Sequence, residues 1–423
     1  MIPAPVVASD RLVAMDVLRG FVLLGILVMN IQSFAMPFAA YMNPTAYGDL
    51  TGANWWVWIV SHVFFDQKFM AVFSMLFGAG IVLMRRRAGA DGARLHQRRM
   101  AWLMAFGLLH AYVFWYGDIL FIYGACGLLA YLFIDRPPAT LIGCAAGMLI
   151  VGCLAYVAFG LTLAPADVPD VRDAHWRPTS DVIAAEVAAY RGGFMAQSRH
   201  RAPEAFQTQT IYLLLFLVWR VLGLMVLGMA LLKLDVLTAR RPASFYARLA
   251  AAGFGVGVPV VIFGARQNFA HGWSVEYSMF FGVLWNYWGS VAVALGYTGL
   301  VMWIARAGVL EPLTLRLAAV GRMAFTNYFL QTIIATLIFY GHGLGLFGRV
   351  ERTAQAAVVV AIWAVLLIVS PWWLRRYRFG PLEWVWRSLT YGQRIQNTEY
   401  RRPLLYSVFC LLFSATRTFR ASS

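Results

Sequence analysis

Two histidines stand near carboxylates in the sequence and could act as general bases. His62 and Asp66 are four residues apart, so both side chains lie on one face of a helix. His110 occupies an uncharged stretch that ends at Asp118, where a short Tyr-Gly-Asp turn could return the carboxylate to the imidazole. An imidazole oriented by a carboxylate suits proton transfer near neutral pH. The spacing therefore predicts His110, Asp118 and His62 as catalytic candidates, with simple packing roles as the alternative.

Other polar side chains interrupt apolar segments, where they should cost energy. An ionisable group inside a bilayer costs roughly 2.5–3.5 kcal/mol on insertion scales. Each such residue is expected either to bind substrate or to pair with a neighbouring helix. Arg220 requires an anionic partner, for which Asp66, Asp118 and a bound anionic substrate are the alternatives. The substrate-binding candidates are Asp16, Arg19, Asn30, Lys68, Arg220, Arg322, Asn327 and Gln331.

A third group of candidates is cationic and surrounds a short polar segment. Guanidinium groups bind phosphate through paired hydrogen bonds, so these arginines could hold a phosphorylated cofactor. The alternative is that they only set the orientation of the chain in a membrane. The group comprises Arg85, Arg86, Arg87, Arg98 and Arg99. The four cysteines lie in apolar runs without Cys-x-x-Cys spacing, and no metal site is expected.

The composition determines what kind of scaffold must position these residues. Of 423 residues, 61% are apolar and only 13% are charged, against about 45–50% and about 25% in typical globular proteins. An ordinary cytosolic enzyme and a disordered chain are therefore excluded. The net charge of +16 falls in short runs between apolar segments, unlike the basic stripe of a nucleic-acid-binding surface. The expected partner is a lipid bilayer and not a nucleic acid.

The apolar segments predict an all-α polytopic membrane protein with about ten transmembrane helices. Each segment approaches the length of about 20 residues that is needed to cross the hydrocarbon core. The predicted spans are approximately 14–36, 59–84, 98–116, 118–135, 139–163, 210–232, 245–265, 279–305, 319–341 and 354–374.

Orientation and domain organisation follow from the distribution of charge. If the N-terminus is cytoplasmic, most of the cations between the apolar segments lie on the cytoplasmic side. This bias predicts that both termini are inside. Residues 1–164 are expected to form a five-helix half, and 165–209 an extracytoplasmic loop that contains one short amphipathic helix. Residues 210–392 are expected to form a second half with a cytoplasmic motif. Residues 393–423 are basic and apolar and predict an interfacial tail.

Several short motifs resemble one family. They are MDVLRG at 15–20, LFGAG at 76–80, GDIL at 117–120, GRMAFTNYFLQ at 321–331 and GPLEWVWR at 380–387. Together they resemble the YeiB-like family, also named domain of unknown function 418, and the resemblance covers roughly residues 11–392. The last two motifs are the most specific.

This family is distantly similar to transmembrane acyltransferases such as heparan-α-glucosaminide N-acetyltransferase. The shared element is the opening of the first helix, here Asp16, Arg19 and Gly20. The resemblance implies a cytosolic acyl-CoA such as acetyl-CoA, a small-molecule acceptor on the far side, and a histidine near the outer face. His62 is close to the place of that histidine but lacks the Pro-Trp that follows it there. This departure favours His110.

The resulting expectation is a multi-pass acyltransferase in the bacterial inner membrane, with the five arginines holding the CoA phosphates. Two alternatives come from other functional classes. One is a transporter or exporter without chemistry, in which Arg220, Asn327 and Gln331 would line a pathway. The other is a membrane subunit that stabilises a partner. The oligomeric state is left open, with a homodimer as one alternative.

Overall fold

The computed structural model describes residues 13–392 and 395–396. These residues form helices and connecting turns, and no strand occurs among them. Most of the predicted interfacial tail at 393–423 lies outside the described residues. The long elements are α1 (Val13–Ala35), α2 (Gly52–Phe64), α3 (Lys68–Ala88), α4 (Gly92–Leu109), α5 (Leu120–Ala130), α6 (Pro138–Thr162), α7 (Ser180–Arg191), α8 (Phe194–Gln207), α9 (Val218–Lys233), α10 (Ala243–Ala270), α11 (Val283–Ala307), α12 (Glu311–Arg322), α13 (Ala324–Phe339), α14 (Arg352–Leu374) and α15 (Pro381–Tyr391).

Seven helical stretches of the described chain are long and apolar enough to cross a membrane, so this is a multi-pass membrane protein. Each of the ten predicted segments contains a helix. The segments 98–116, 118–135 and 319–341 coincide with helices outside this set of seven, so the total of ten remains a prediction. The seven stretches are Val13–Ala35, Gly52–Arg87, Pro138–Thr162, Phe194–Lys233, Ala243–Ala270, Val275–Ala307 and Arg352–Leu374.

Two of the family motifs meet where α1 crosses α12. A Cβ atom on Gly20 would collide with the carbonyl oxygen of Leu317, and one on Gly321 would collide with the carbonyl oxygen of Asp16. Glycine at both positions therefore allows the two backbones to approach closely, as small residues do between membrane helices. This crossing fixes the N-terminal end of α1 beside the start of α13.

The apolar stretch Gly52–Arg87 is not one continuous helix. It breaks at residues 65–67 between α2 and α3, and Gln67 adopts a left-handed conformation with φ of 62°. The predicted span at 59–84 crosses this break. Asp66 and Gln67 lie in the interruption and Lys68 is the first residue of α3, so polar side chains stand beside the backbone that leaves the helical hydrogen-bond pattern.

The predicted extracytoplasmic loop is largely helical. The expected amphipathic helix is present as α7, and α8 follows it after a two-residue turn. Helix α8 continues through a π-helical segment, Thr208–Leu217, directly into α9. The sixth predicted span therefore begins within a helix that starts at Phe194, because Pro203 is accommodated without ending it.

The orientation of the chain leads to a direct test. We expect a reporter fused after Ser423 to be active only if it functions in the cytoplasm, because an even number of spans returns the C-terminus to the side of the N-terminus. A matched pair of alkaline phosphatase and fluorescent-protein fusions measures this. Phosphatase activity at the C-terminus would mean an odd number of spans and would contradict ten helices.

Candidate functional site

His110 lies at the centre of a fully buried polar contact between three elements. Its Nδ1 atom is 3.1 Å from Oδ1 of Asp118, and its Nε2 atom is 3.0 Å from the hydroxyl of Thr332. The exposed fractions of the His110 and Asp118 side chains are both 0%. The structure therefore brings together the imidazole and carboxylate that were predicted to meet, and it adds a hydroxyl on the other ring nitrogen.

The local backbone explains this geometry. At His110 the helix α4 changes to a π-helical turn, His110–Phe114, a distortion often found at functional sites. The chain then reverses, and Oδ2 of Asp118 accepts a hydrogen bond of 2.8 Å from the backbone N–H of Phe121 at the start of α5. Gly107 allows α4 and α5 to approach closely here, because a Cβ would collide with the backbone nitrogen of Phe121.

Thr332 is a site residue that sequence reasoning missed. It lies on α13, one position beyond the motif at 321–331, and its hydroxyl also donates to the carbonyl oxygen of Tyr328 at 3.2 Å. The rings of Tyr328 and Phe329 stand 4.8 and 4.9 Å from the imidazole. These aromatic rings help to seal His110 from solvent and lipid.

Arg201 on α8 supports the π-helical turn and was also missed. Its guanidinium donates to the carbonyl oxygens of Tyr112 at 2.9 Å and Phe114 at 3.2 Å. Only 1% of Arg201 is exposed. Because the turn leaves carbonyl groups without partners in the helix, this cation stabilises the backbone that carries His110.

A second polar cluster surrounds the break between α2 and α3. Nδ1 of His62 is 3.3 Å from Oδ2 of Asp66, which also accepts a 2.8 Å hydrogen bond from Asn286. The ammonium group of Lys68 donates to Oδ1 of Asn286 at 2.5 Å and to the carbonyl oxygen of His62 at 2.6 Å. Lys68 is fully buried. Asn286 on α11 thus bridges the carboxylate and the ammonium group.

Arg220 lies near this cluster but binds neutral groups. It donates to the carbonyl oxygen of Tyr287 at 2.9 Å and to the hydroxyl of Ser290 at 2.6 Å. Its guanidinium also stands 4.3 Å from the centre of the Tyr287 ring. In the described part of the chain neither Asp66 nor Asp118 forms a direct ion pair with Arg220, so the two protein carboxylates expected as partners do not pair with it.

The motif at 380–387, which is predicted to be cytoplasmic, contacts α4 and the start of α13. Trp386 on α15 donates from its indole nitrogen to the carbonyl oxygen of Arg99 at 3.0 Å, and the guanidinium of Arg99 lies 4.5 Å from the centre of that ring. Arg387 and Arg19 are close enough for their charges to act on Arg99. Asp16 pairs with Arg19 at 2.7 Å. Arg19, Arg99 and Arg387, which are far apart in sequence, are called the inner cluster below, because the predicted orientation places them on the cytoplasmic side.

Glu383 attaches the same motif to the start of α13. Its Oε1 atom accepts hydrogen bonds from the backbone N–H groups of Phe325 at 2.7 Å and Thr326 at 3.1 Å, and Oε2 accepts from the Thr326 hydroxyl at 2.5 Å. A carboxylate at a helix N-terminus satisfies N–H groups that have no partner in the helix. The motif is therefore a structural connection between α15 and the helix that carries Thr332.

The remaining candidates have structural or surface positions. Asn327 donates to the carbonyl oxygen of Val320 and to Ser370, and Gln331 donates to the carbonyl oxygen of Leu23. Arg322 donates to the carbonyl oxygen of Arg378, and Asn30 is half-buried without a side-chain hydrogen bond to the described residues.

Of the five predicted phosphate-binding arginines, Arg86, Arg87 and Arg98 are exposed, Arg85 bonds the carbonyl oxygen of Gly89, and only Arg99 joins the inner cluster.

Glu186 on α7 is a buried carboxyl group in the predicted extracytoplasmic loop. Its Oε1 atom accepts a 3.0 Å hydrogen bond from the backbone N–H of Phe38. Burial raises the pKa of this carboxyl group to about 7, and the negative charge of nearby Glu204 adds to the increase. The folded protein therefore holds a proton here at pH values where the unfolded chain has released it.

This difference predicts a dependence of stability on pH. The free energy of unfolding should fall by up to about 3 kcal/mol as pH rises from about 4.5 to about 7. The raised pKa means that the folded protein binds this proton more tightly than the unfolded chain does, and that stabilisation is lost as pH rises through the folded-state pKa. Thermal unfolding in detergent measures this. Glu186→Gln should flatten that part of the profile, and an unchanged slope would show that another group causes it.

Comparison with known proteins agrees with the motifs. The sequence profile described as "Protein of unknown function (DUF418)" matches residues 231–393. The chain is 31% identical over 383 residues to "Uncharacterized protein YeiB" of Escherichia coli (strain K12), covering 90% of this chain and 96% of that relative. It is 28% identical over 413 residues to "Uncharacterized protein YxaH" of Bacillus subtilis (strain 168), covering 92% and 96%. The chain therefore belongs to the YeiB-like family of proteins of unknown function, DUF418.

Proposed function

We propose that this protein transfers an acyl group from cytosolic acyl-CoA to a small-molecule acceptor at the outer face of the bacterial inner membrane. The observation that carries the proposal is the position of His110 between the carboxylate of Asp118 and the hydroxyl of Thr332. A base that contacts a hydroxyl on one side and an orienting carboxylate on the other is the usual arrangement for acyl transfer.

In this proposal His110 carries the proton that acyl transfer must move. The attacking group loses a proton to Nε2 as it bonds to the thioester carbonyl carbon, and the C–S bond breaks. The proton then passes to the sulfur of CoA. Asp118 lies 3.1 Å from Nδ1 and stabilises the imidazolium that forms between these two steps.

The donor site is assigned to the inner arginines because α4 links them to His110. Arg99 and His110 are eleven residues apart on one continuous helical segment, which corresponds to roughly 16 Å along the axis. The CoA phosphates would bind at Arg99, Arg387 and Arg19, and the flexible arm of CoA would extend along α4. Three guanidinium groups whose charges act on one another suit a polyanion.

This assignment predicts a loss of CoA binding. The double variant Arg99→Gln with Arg387→Gln should weaken acetyl-CoA binding by about tenfold or more, because two charge-assisted contacts to phosphate are removed. The matched control is Arg86→Gln with Arg87→Gln, which removes the same charge from exposed positions. Calorimetry on the purified protein at two ionic strengths measures both, and wild-type affinity should fall as salt rises.

Equal weakening in both double variants would show that binding depends only on net charge, and the inner cluster would not be the CoA site. Absence of acetyl-CoA binding by the wild-type protein, in detergent and in lipid, would remove the acyltransferase proposal and place transport first.

Transport without chemistry is the second candidate, and one observation favours it. The break at Gln67 places buried Lys68 and nearby Arg220 at a discontinuous helix, an arrangement that transporters use for ion and substrate binding. Asn327 and Gln331 favour it less, because their amide groups already bond neighbouring helices. Flux of a small molecule across liposomes without thioester cleavage would support transport.

A further inference from the structure

We propose that Thr332 is the covalent acyl carrier, so that transfer proceeds through an acyl-threonine ester in two half-reactions. This inference rests on the proposed acyltransferase function. It assigns a nucleophile that is attached to the protein itself, whereas general-base catalysis alone requires only the acceptor and His110.

The first support is the geometry of the hydroxyl. Oγ of Thr332 lies 3.0 Å from Nε2 of His110, within the distance at which a base can take the hydroxyl proton. The opposite ring nitrogen faces Asp118 at 3.1 Å. Hydroxyl, imidazole and carboxylate thus follow in the order of a nucleophile, its base and the group that orients the base.

The second support is burial. Thr332 is 1% exposed and His110 is 0% exposed, and aromatic rings of Tyr328 and Phe329 stand against the imidazole. Two substrates from opposite sides of a membrane would have to enter this closely packed space together if transfer were direct. A carrier lets them react in turn, and a site that excludes water protects the ester from hydrolysis.

The third support is that the Thr332 hydroxyl has two hydrogen-bond acceptors within reach. Its single proton can be donated to the carbonyl oxygen of Tyr328, 3.2 Å away in the same helix, or to Nε2 of His110. Donation to Tyr328 is the resting arrangement of a helical threonine. Rotation about the Cβ–Oγ bond of Thr332 is enough to direct the proton to the base. The hydroxyl can therefore be activated without movement of heavy atoms.

Both half-reactions balance without another reactant. In the first, Oγ of Thr332 attacks the thioester carbonyl carbon while Nε2 of His110 takes its proton. The C–S bond breaks and the proton passes to sulfur, which gives acyl-Thr332 and free CoA. In the second, an acceptor hydroxyl or amine attacks the ester and gives its proton to Nε2. The C–O bond to Oγ breaks and the proton returns to Thr332.

The test is to trap the ester in the intact protein. Purified protein is incubated with acetyl-CoA without acceptor, quenched with acid, digested and examined by mass spectrometry. We expect one acetyl group on the peptide that contains Thr332, and release of one equivalent of CoA in a burst. Thr332→Val should lose both, with transfer reduced by about 10²-fold or more. Thr332→Ser should keep both, because it retains the hydroxyl.

The matched control is Thr336→Val, which removes a buried hydroxyl one turn later on α13 whose one partner among the described residues is the carbonyl oxygen of Ile333. It should retain the burst. If Thr332→Val fails to fold, the position of the acetyl group in the wild-type and Thr332→Ser proteins decides the question. Acetylation on His110, or unchanged turnover in Thr332→Val while His110→Ala is inactive, would overturn the carrier and leave the acyltransferase proposal standing. A wild-type protein that consumes no acetyl-CoA would overturn both.

Discussion

His110→Ala is expected to reduce acyl transfer by about 10²–10⁴-fold, because it removes the group that moves the proton. The rate of thiol release from acetyl-CoA measures this. Asp118→Asn should lie between wild type and His110→Ala, since it keeps the shape of the side chain but loses the charge that stabilises the imidazolium. CoA binding should be unchanged in both variants, because the inner arginines are untouched.

His62→Ala is the matched histidine control for this prediction. It also removes an imidazole near a carboxylate, Asp66, but at the break between α2 and α3. We expect a much smaller loss of activity. Full activity of His110→Ala together with inactivity of His62→Ala would show that catalysis uses the histidine placed like that of the acetyltransferase. Full activity of both variants would remove histidine from the mechanism.

Asn286→Leu is expected to lower the free energy of unfolding by about 3–5 kcal/mol. The amide of Asn286 accepts from the ammonium group of Lys68 and donates to the carboxylate of Asp66. Leucine would remove one hydrogen-bond partner from the buried ammonium group of Lys68 and one from the carboxylate of Asp66. Removing the partner of a buried charge costs about 3–5 kcal/mol. Thermal unfolding in detergent, followed by intrinsic fluorescence, measures the change.

Asn30→Leu provides the control, because Asn30 is a half-buried asparagine whose side chain has no hydrogen bond to the described residues. The free energy of unfolding of Asn30→Leu should differ from that of the wild type by less than about 1 kcal/mol. Similar unfolding of wild type and Asn286→Leu would mean that Lys68 and Asp66 find other partners, and that the bridge does not stabilise the helix break.

The contact between His110 and Asp118 could be predicted from the sequence because both residues are local to one helix and the turn that follows it. Thr332 could not be predicted, since it is 222 residues from His110 and a threonine in an apolar helix usually bonds its own backbone. Only the packing of α13 against the π-helical turn gives its hydroxyl a second partner.

The partners of Arg220 could not be predicted from the sequence for a different reason. A buried cation is expected to have a carboxylate, but a backbone carbonyl, a hydroxyl and an aromatic face can stabilise a guanidinium together. Such neutral groups leave no charge pattern in the sequence. The break at Gln67 was missed for a related reason, because hydropathy averages over three polar residues within a long apolar stretch.

Three residues of the family motifs, Gly20, Gly321 and Glu383, are explained by packing and by a helix end. Gly20 and Gly321 allow α1 and α12 to cross closely, and Glu383 satisfies the N-terminus of α13. These residues therefore position Arg19 and Thr332. Sequence motifs identified the family, and the structure shows how several of their residues pack.

Sided acyl transfer by reconstituted protein tests the central proposal most directly. Proteoliposomes of known protein orientation enclose acetyl-CoA labelled in the acetyl group on the cytoplasmic side, and an extract of cell-envelope small molecules is supplied on the other side. We predict that label appears outside on a small molecule while CoA stays inside, and that His110→Ala vesicles show none. Label that stays inside in wild-type vesicles, or that crosses equally with His110→Ala, would contradict acyl transfer through His110.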